Sequence, residues 1–89
     1  MNKFIDPFLA NLPSLDLHGE SCDSTNFLIN DFINDNIKLK NYRIVLIHGK
    51  GSYKLKNYIH EYLKKDSRID SYYLDINTGQ TIVELKKNE

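Results

Sequence analysis

The sequence is poor in the residues that most constrain a chain. It holds one cysteine, Cys22, in 89 residues. A lone thiol cannot close an internal disulfide and fits a reducing cytoplasm. There are two prolines, Pro7 and Pro13, so nothing after residue 13 is barred by proline from continuing a helix or a central strand. No apolar run approaches the ~20 residues of a membrane span. The N-terminus lacks a basic segment followed by an apolar stretch, so no secretory leader is expected. Low-complexity segments are absent, and so is net charge, with 12 basic and 12 acidic residues.

Charge is nevertheless unevenly placed. Residues 1–35 carry a net −5, residues 36–68 a net +7 and residues 69–89 a net −2. The basic middle third is a candidate phosphate-facing surface or an ordinary solvated helix face. The length fits one domain with a modest core.

The four glycines fall at 19, 49, 51 and 79, and two of them, Gly19 and Gly49, directly follow a histidine. Ile44-Val45-Leu46-Ile47 is a consecutive apolar run, three of its residues β-branched, and reads as a strand buried on both faces. His48, Gly49, Lys50 and Gly51 follow, then Ser52 and an amphipathic helix. A strand passing through a Gly-rich turn into a helix N-terminus can turn backbone N–H groups toward an anion. Leu15-Asp16-Leu17-His18-Gly19 repeats the arrangement upstream. Two such turns on parallel strands would open at the same sheet edge.

In chain order, residues 1–13 form an arm in which Phe4, Ile5, Phe8 and Leu9 are apolar. It is expected to pack on the domain or on a protein partner. Residues 14–89 form the domain. Ser14–Leu17 reads as a strand, with Asp16 and His18 on one face. Ser21 is a candidate N-cap for a helix over roughly 22–37, with Cys22, Leu28, Ile29, Phe32, Ile33 and Ile37 at helical spacing. Tyr42–His48 is the central strand. Ser52 can cap a second helix whose stripe is Leu55, Tyr58, Ile59, Tyr62 and Leu63, ending near Lys65. Ile69–Ile76 reads as a strand, Asn77-Thr78-Gly79 as a hairpin turn and Thr81–Lys86 as a closing strand. The order β-α-β-α-β-β predicts an α/β two-layer sandwich with a small mixed sheet. The first three strands are its parallel core candidate and the hairpin its antiparallel edge.

LDLHG at 15–19, LIHGKG at 46–51 and TIVEL at 81–85, in this order with helices between, resemble the small MutS-related (Smr) domain over about residues 13–87. The resemblance implies a sandwich similar to the C-terminal domain of translation initiation factor 3. It also implies nucleic-acid binding, DNA or RNA, commonly with endonuclease activity. The family usually continues His-Gly-x-Gly with another glycine and then Leu-Arg. Here those places hold Tyr53 and Leu55-Lys56, and only Gly79 stands where a glycine-rich run is usual.

The chemistry open to these residues is acid–base. His18 and His48, each at a strand end, would flank one phosphodiester, one as general base on a water or ribose 2′-OH and the other as general acid. Asp16 would orient His18. Gly19 permits the first turn and is expected among the phosphate-binding residues. Lys50, Lys54 and Lys56, with the amides of Gly49–Gly51 and Ser52, would face phosphate, and Tyr53 would stack on a base or stand as a surface aromatic. No cofactor is required by this scheme; a divalent metal on Asp16, His18 and His48 is the competing use. Cys22 reads as an apolar helix residue, His60 as solvated, and Tyr58 and Tyr62 as core. The alternative function is a non-catalytic module docking on nucleic acid or ribonucleoprotein through the same basic turn.

Overall fold

The computed structural model describes residues 12–51, 53–75 and 79–87. The expected arm at 1–13 therefore lies almost wholly outside the described residues, as do the cap at Ser52 and the turn residues Asn77 and Thr78. The elements are β1 (Ser14–Asp16), α1 (Cys22–Lys38), β2 (Arg43–Ile47), α2 (Tyr53–Lys65), β3 (Ile69–Asp75) and β4 (Gln80–Leu85). They form one four-stranded mixed sheet with two helices on one face.

The helices form where the apolar spacing asks for them. Ser21 caps α1, its hydroxyl accepting the Ser24 N–H at 3.2 Å. The buried line of α1 is Thr25, Ile29, Ile33 and Asn36, so two of its four members are polar. Asn36 is satisfied there: its amide donates to the Phe32 carbonyl at 2.8 Å and accepts from the Asn41 side chain at 3.1 Å. On α2 the buried residues are Leu55, Ile59 and Leu63. These pack with Leu17, Ile44, Leu46, Val83 and Leu85 into a single core between helices and sheet.

The strand order is β1-β2-β4-β3. β1 runs parallel to β2, pairing Ser14 with Val45 and Asp16 with Ile47. β4 is antiparallel to both β2 and β3. The expected parallel core of three strands is thus corrected. β3 points the same way as β1 and β2, but β4 lies between it and them, so the hairpin is not simply an added edge. The cause is in the side chains. Thr81, Ile82 and Val83 are consecutive and buried, as an interior strand requires, whereas β3 exposes Asp70, Ser71, Tyr73 and Leu74, as an edge strand can.

β2 is the strand around which the sheet is laid. Ile44 and Leu46 are buried against the helices, and Val45, paired with Ile82, is buried on the opposite face. Val45→Asp is expected to abolish cooperative unfolding. An unpaired buried carboxylate costs several kcal/mol against a total stability of roughly 5–15 kcal/mol. Thermal melting followed by circular dichroism checks this, and a melt near the parent temperature would remove β2 from the centre.

Candidate nucleic-acid interface

Because β1 and β2 are parallel neighbours, their C-terminal ends meet at one edge of the sheet, and both helices start there. Leu17, His18, Gly19 and Glu20 make a tight turn closed by the Glu20 N–H donating to the Leu17 carbonyl at 3.0 Å. Gly19 takes φ +80°, the left-handed value such a turn demands of its third residue. His18 projects from this turn. Its backbone N–H donates to Asp16 Oδ1 at 3.1 Å and its Nδ1–H to the same oxygen at 2.5 Å. The expected shared strand face is thus replaced by a turn in which one carboxylate holds both groups of His18. Both side chains are exposed, at 70% for His18 and 55% for Asp16. The hydrogen bond and charge of Asp16 raise the imidazole pKa above its ordinary 6.5, and the same contact lowers the carboxyl below 3.8.

The second turn lies against the first. A Cβ placed on Gly49 would sit 3.6 Å from His18 Cβ. Gly49 takes φ +93°, and its N–H and that of His48 both donate to the Gly79 carbonyl, at 2.9 and 3.0 Å. The Gly49 amide is therefore already engaged and is withdrawn from the set expected to face phosphate. Gly79 packs so closely here that an added Cβ would stand 2.6 Å from Gly49 C and Lys50 N. Only glycine fits.

His48 is the largest departure from expectation. It is 2% exposed and both ring nitrogens are engaged. Nδ1 lies 3.1 Å from the Gly49 carbonyl oxygen, an acceptor, so Nδ1 carries the proton. Nε2 is then the acceptor and takes the hydroxyl proton of Thr81 at 2.9 Å. Thr81 Oγ1, fully buried, accepts in turn from His60 Nε2–H at 2.8 Å. Burial lowers the pKa of both histidines, with the Lys56 charge acting in the same direction on each. His60 packs edge-on against Tyr72, ring centroids 5.0 Å apart, and is not the solvated residue expected. The two His-Gly turns thus place unlike histidines: His18 offers Nε2 to solvent, and His48 braces the second turn from beneath.

Lys50 and Gly51 are exposed on that turn, and Tyr53 and Lys54 follow on the first turn of α2. Lys56 reaches back over the Tyr53 ring, its Nζ 5.7 Å from the centroid. A cleft of about 330 Å³ separates the two helix starts, lined by Glu20, Ser21, Cys22, Asp23, Lys54 and Leu55. Among the described residues, no three His, Cys, Asp or Glu side chains are grouped so as to hold a metal ion. No helix among them is long and apolar enough to cross a membrane.

Residues 15–86 match the Smr domain family. The chain belongs to that family. Its relatives include the endonuclease MutS2 of a Geobacillus species, 34% identical over 76 residues, and that of Bacillus cytotoxicus, 36% identical over 77 residues. Each alignment takes in 81% of this chain and 10% of the relative, so the chain spans about a tenth of those proteins. The fold superposes on the Smr domain of Thermus thermophilus MutS2 with a TM-score of 0.79 at 25% identity, covering 84% of this chain and 99% of that one. It superposes on YdaL, a stand-alone small MutS-related protein from Escherichia coli, with a TM-score of 0.72 at 23% identity, covering 83% and 64%. In this Smr domain Gly79, Thr81 and His60 join the site through contacts that link distant segments. The signals in the sequence were a polar residue heading an apolar strand and a histidine one turn beyond Lys56.

Thr81→Val is expected to lower stability by about 1–3 kcal/mol, because it leaves buried imidazole nitrogens without the hydroxyl. Thr81→Ser should restore most of it. Chemical denaturation measures the difference, and nitrogen NMR of the parent should find His48 neutral with its proton on Nδ1.

Proposed function

We propose that this Smr domain binds nucleic acid across its two His-Gly turns and cleaves a phosphodiester there, with His18 as the proton-transfer group. The observation that carries the reading is the exposed Asp16–His18 pair packed against the Gly49–Lys50 turn. With Nδ1–H donated to Asp16, the Nε2 lone pair faces outward. It can take the proton of a water or a ribose 2′-OH as that oxygen attacks phosphorus; the bond from phosphorus to the leaving oxygen then breaks, and that oxygen takes its proton from solvent or from the His18 imidazolium, which returns the base to its free form. Asp16 then stabilises the imidazolium, the role a carboxylate plays beside a catalytic histidine. Lys50 and Lys54 bring positive charge to the phosphate, and the starts of α1 and α2 add their dipoles. The MutS2 relatives bear the name endonuclease, which agrees with this chemistry.

Binding without cleavage is the second reading. It is favoured by His48, which presents no free ring nitrogen to the surface and so leaves one imidazole where two were expected. Nicking and RNA-cleavage assays separate the two readings.

Replacing Lys50 and Lys54 by Ala should weaken binding to any sequence and flatten its salt dependence by about one unit of slope per lost phosphate contact. Filter binding across a salt series measures this, and an unchanged slope would take these lysines out of the interface.

His18→Ala should lower cleavage by about 10²–10⁴-fold and leave binding within a few-fold. The protonated imidazole cannot act as base, so the rate should fall as pH drops through the His18 pKa. Asp16 raises that pKa, which places the midpoint above the ordinary 6.5. Asp16→Asn should slow turnover and move the midpoint downward. Single-turnover cleavage as a function of pH tests both, and an undisplaced midpoint would dissociate Asp16 from the base.

A further inference from the structure

We infer that Tyr53 is a stacking platform for an unpaired nucleobase, so that the domain selects nucleic acid with a single-stranded segment beside the bound phosphate. The inference rests on the nucleic-acid reading above and narrows its substrate class. Tyr53 is 72% exposed, more than any other large apolar or aromatic side chain among the described residues. A phenol ring left in water at the first position of a helix contributes nothing to the core. Its place gives it a use. It lies two residues beyond Gly51, and the Gly49 turn abuts His18.

Lys56 approaches the ring at 5.7 Å from its centroid, close enough for its charge to be drawn to the π-system. The ammonium serves two ends. It restrains the ring from one side and adds positive charge beside it for the phosphate of the stacked nucleotide. A base inside a duplex is already stacked on its neighbours and offers the ring no free face, whereas an unpaired base does. The recognition is of a π-face and is blind to sequence. It is equally available to DNA and RNA, and the two are separated by the choice of strand in the test.

Fluorescence anisotropy with the whole chain, at one salt concentration, would use labelled 20-nucleotide DNA and RNA single strands, a 20-base-pair DNA duplex and a DNA strand containing abasic positions. Stacking on an aromatic ring is worth about five- to hundredfold in affinity. The parent should prefer single strands to duplex. Tyr53→Ala should cost fivefold or more on single strands and less than twofold on duplex. Tyr53→Phe, which keeps the ring, should stay within twofold of the parent, and the abasic strand should bind the parent as weakly as the intact strand binds Tyr53→Ala. Melting temperatures near the parent's would show that the variants fold. Equal losses on both substrates, no loss, or a Phe variant as weak as the Ala variant would overturn the platform. If Lys50→Ala still weakens binding in those cases, the nucleic-acid reading survives alone. A parent that binds neither strand nor duplex would end both.

Discussion

The candidate site depends on one contact, the carbonyl of Gly79 accepting the amides of both His48 and Gly49. It joins the end of β2 to the start of β4 and fixes the path of the chain as it leaves the sheet. The contact is possible because Gly79 has no side chain and adopts φ +67°, a region costly to other residues. With β4 pinned beside β2, Thr81 falls beneath His48 and within reach of His60 on α2. The antiparallel pairing that closes the fold therefore also shapes the Gly49–Lys50 turn. A sheet in which β4 lay at the edge would leave His48 without its hydroxyl partner and the Gly49–Lys50 turn without its support.

Much of the fold is legible in the residues because local preference and long-range packing agree. Ser21 begins α1 as its side chain predicts, the stripe Leu55, Ile59 and Leu63 is buried as its spacing predicts, and 44–47 is central as its unbroken apolarity predicts. The position of β4 was harder to read. A hairpin fixes which strands pair with each other but not which of the two faces the rest of the sheet. That choice is made by burial: Ile82 and Val83 fill both faces of β4, while β3 leaves Asp70, Ser71, Tyr73 and Leu74 exposed.

The site was legible in its residue types and less so in its geometry. The pairing of Asp16 with His18 follows from their spacing, though the tight turn that Gly19 permits, and not a shared strand face, brings them together. His60 could not be placed from helical spacing, because it lies beside the apolar stripe and its partner Thr81 is 21 residues away. The engaged Gly49 amide was hidden for the same reason, since its acceptor lies across the sheet at Gly79. Hydrogen bonds between distant segments leave no periodic trace. They do leave chemical ones, such as a threonine at the head of a buried strand, where an apolar residue would pack as well and a hydroxyl needs a partner.

The same sequence signature, a strand followed by His-Gly and a helix, yields opposite environments because the two strands hold different places in the sheet. β1 is an edge strand of three residues, and among the described residues no strand flanks its outer side. The histidine beyond it stays in solvent, where a carboxylate two residues earlier raises its pKa. β2 lies between β1 and β4, so the histidine beyond it is roofed by β4 and α2 and its pKa falls. The fold thereby drives apart the affinities of two chemically identical side chains for a proton. The first is made easier to protonate, and the second harder, with both of its ring nitrogens engaged as donor and acceptor. His48, bonded at both ring nitrogens, ties the Gly49 turn to β4 and so fixes the surface against which His18 stands. A duplicated motif thus occupies two different environments, set by strand order and by the Asp16 carboxylate beside only one of the two histidines.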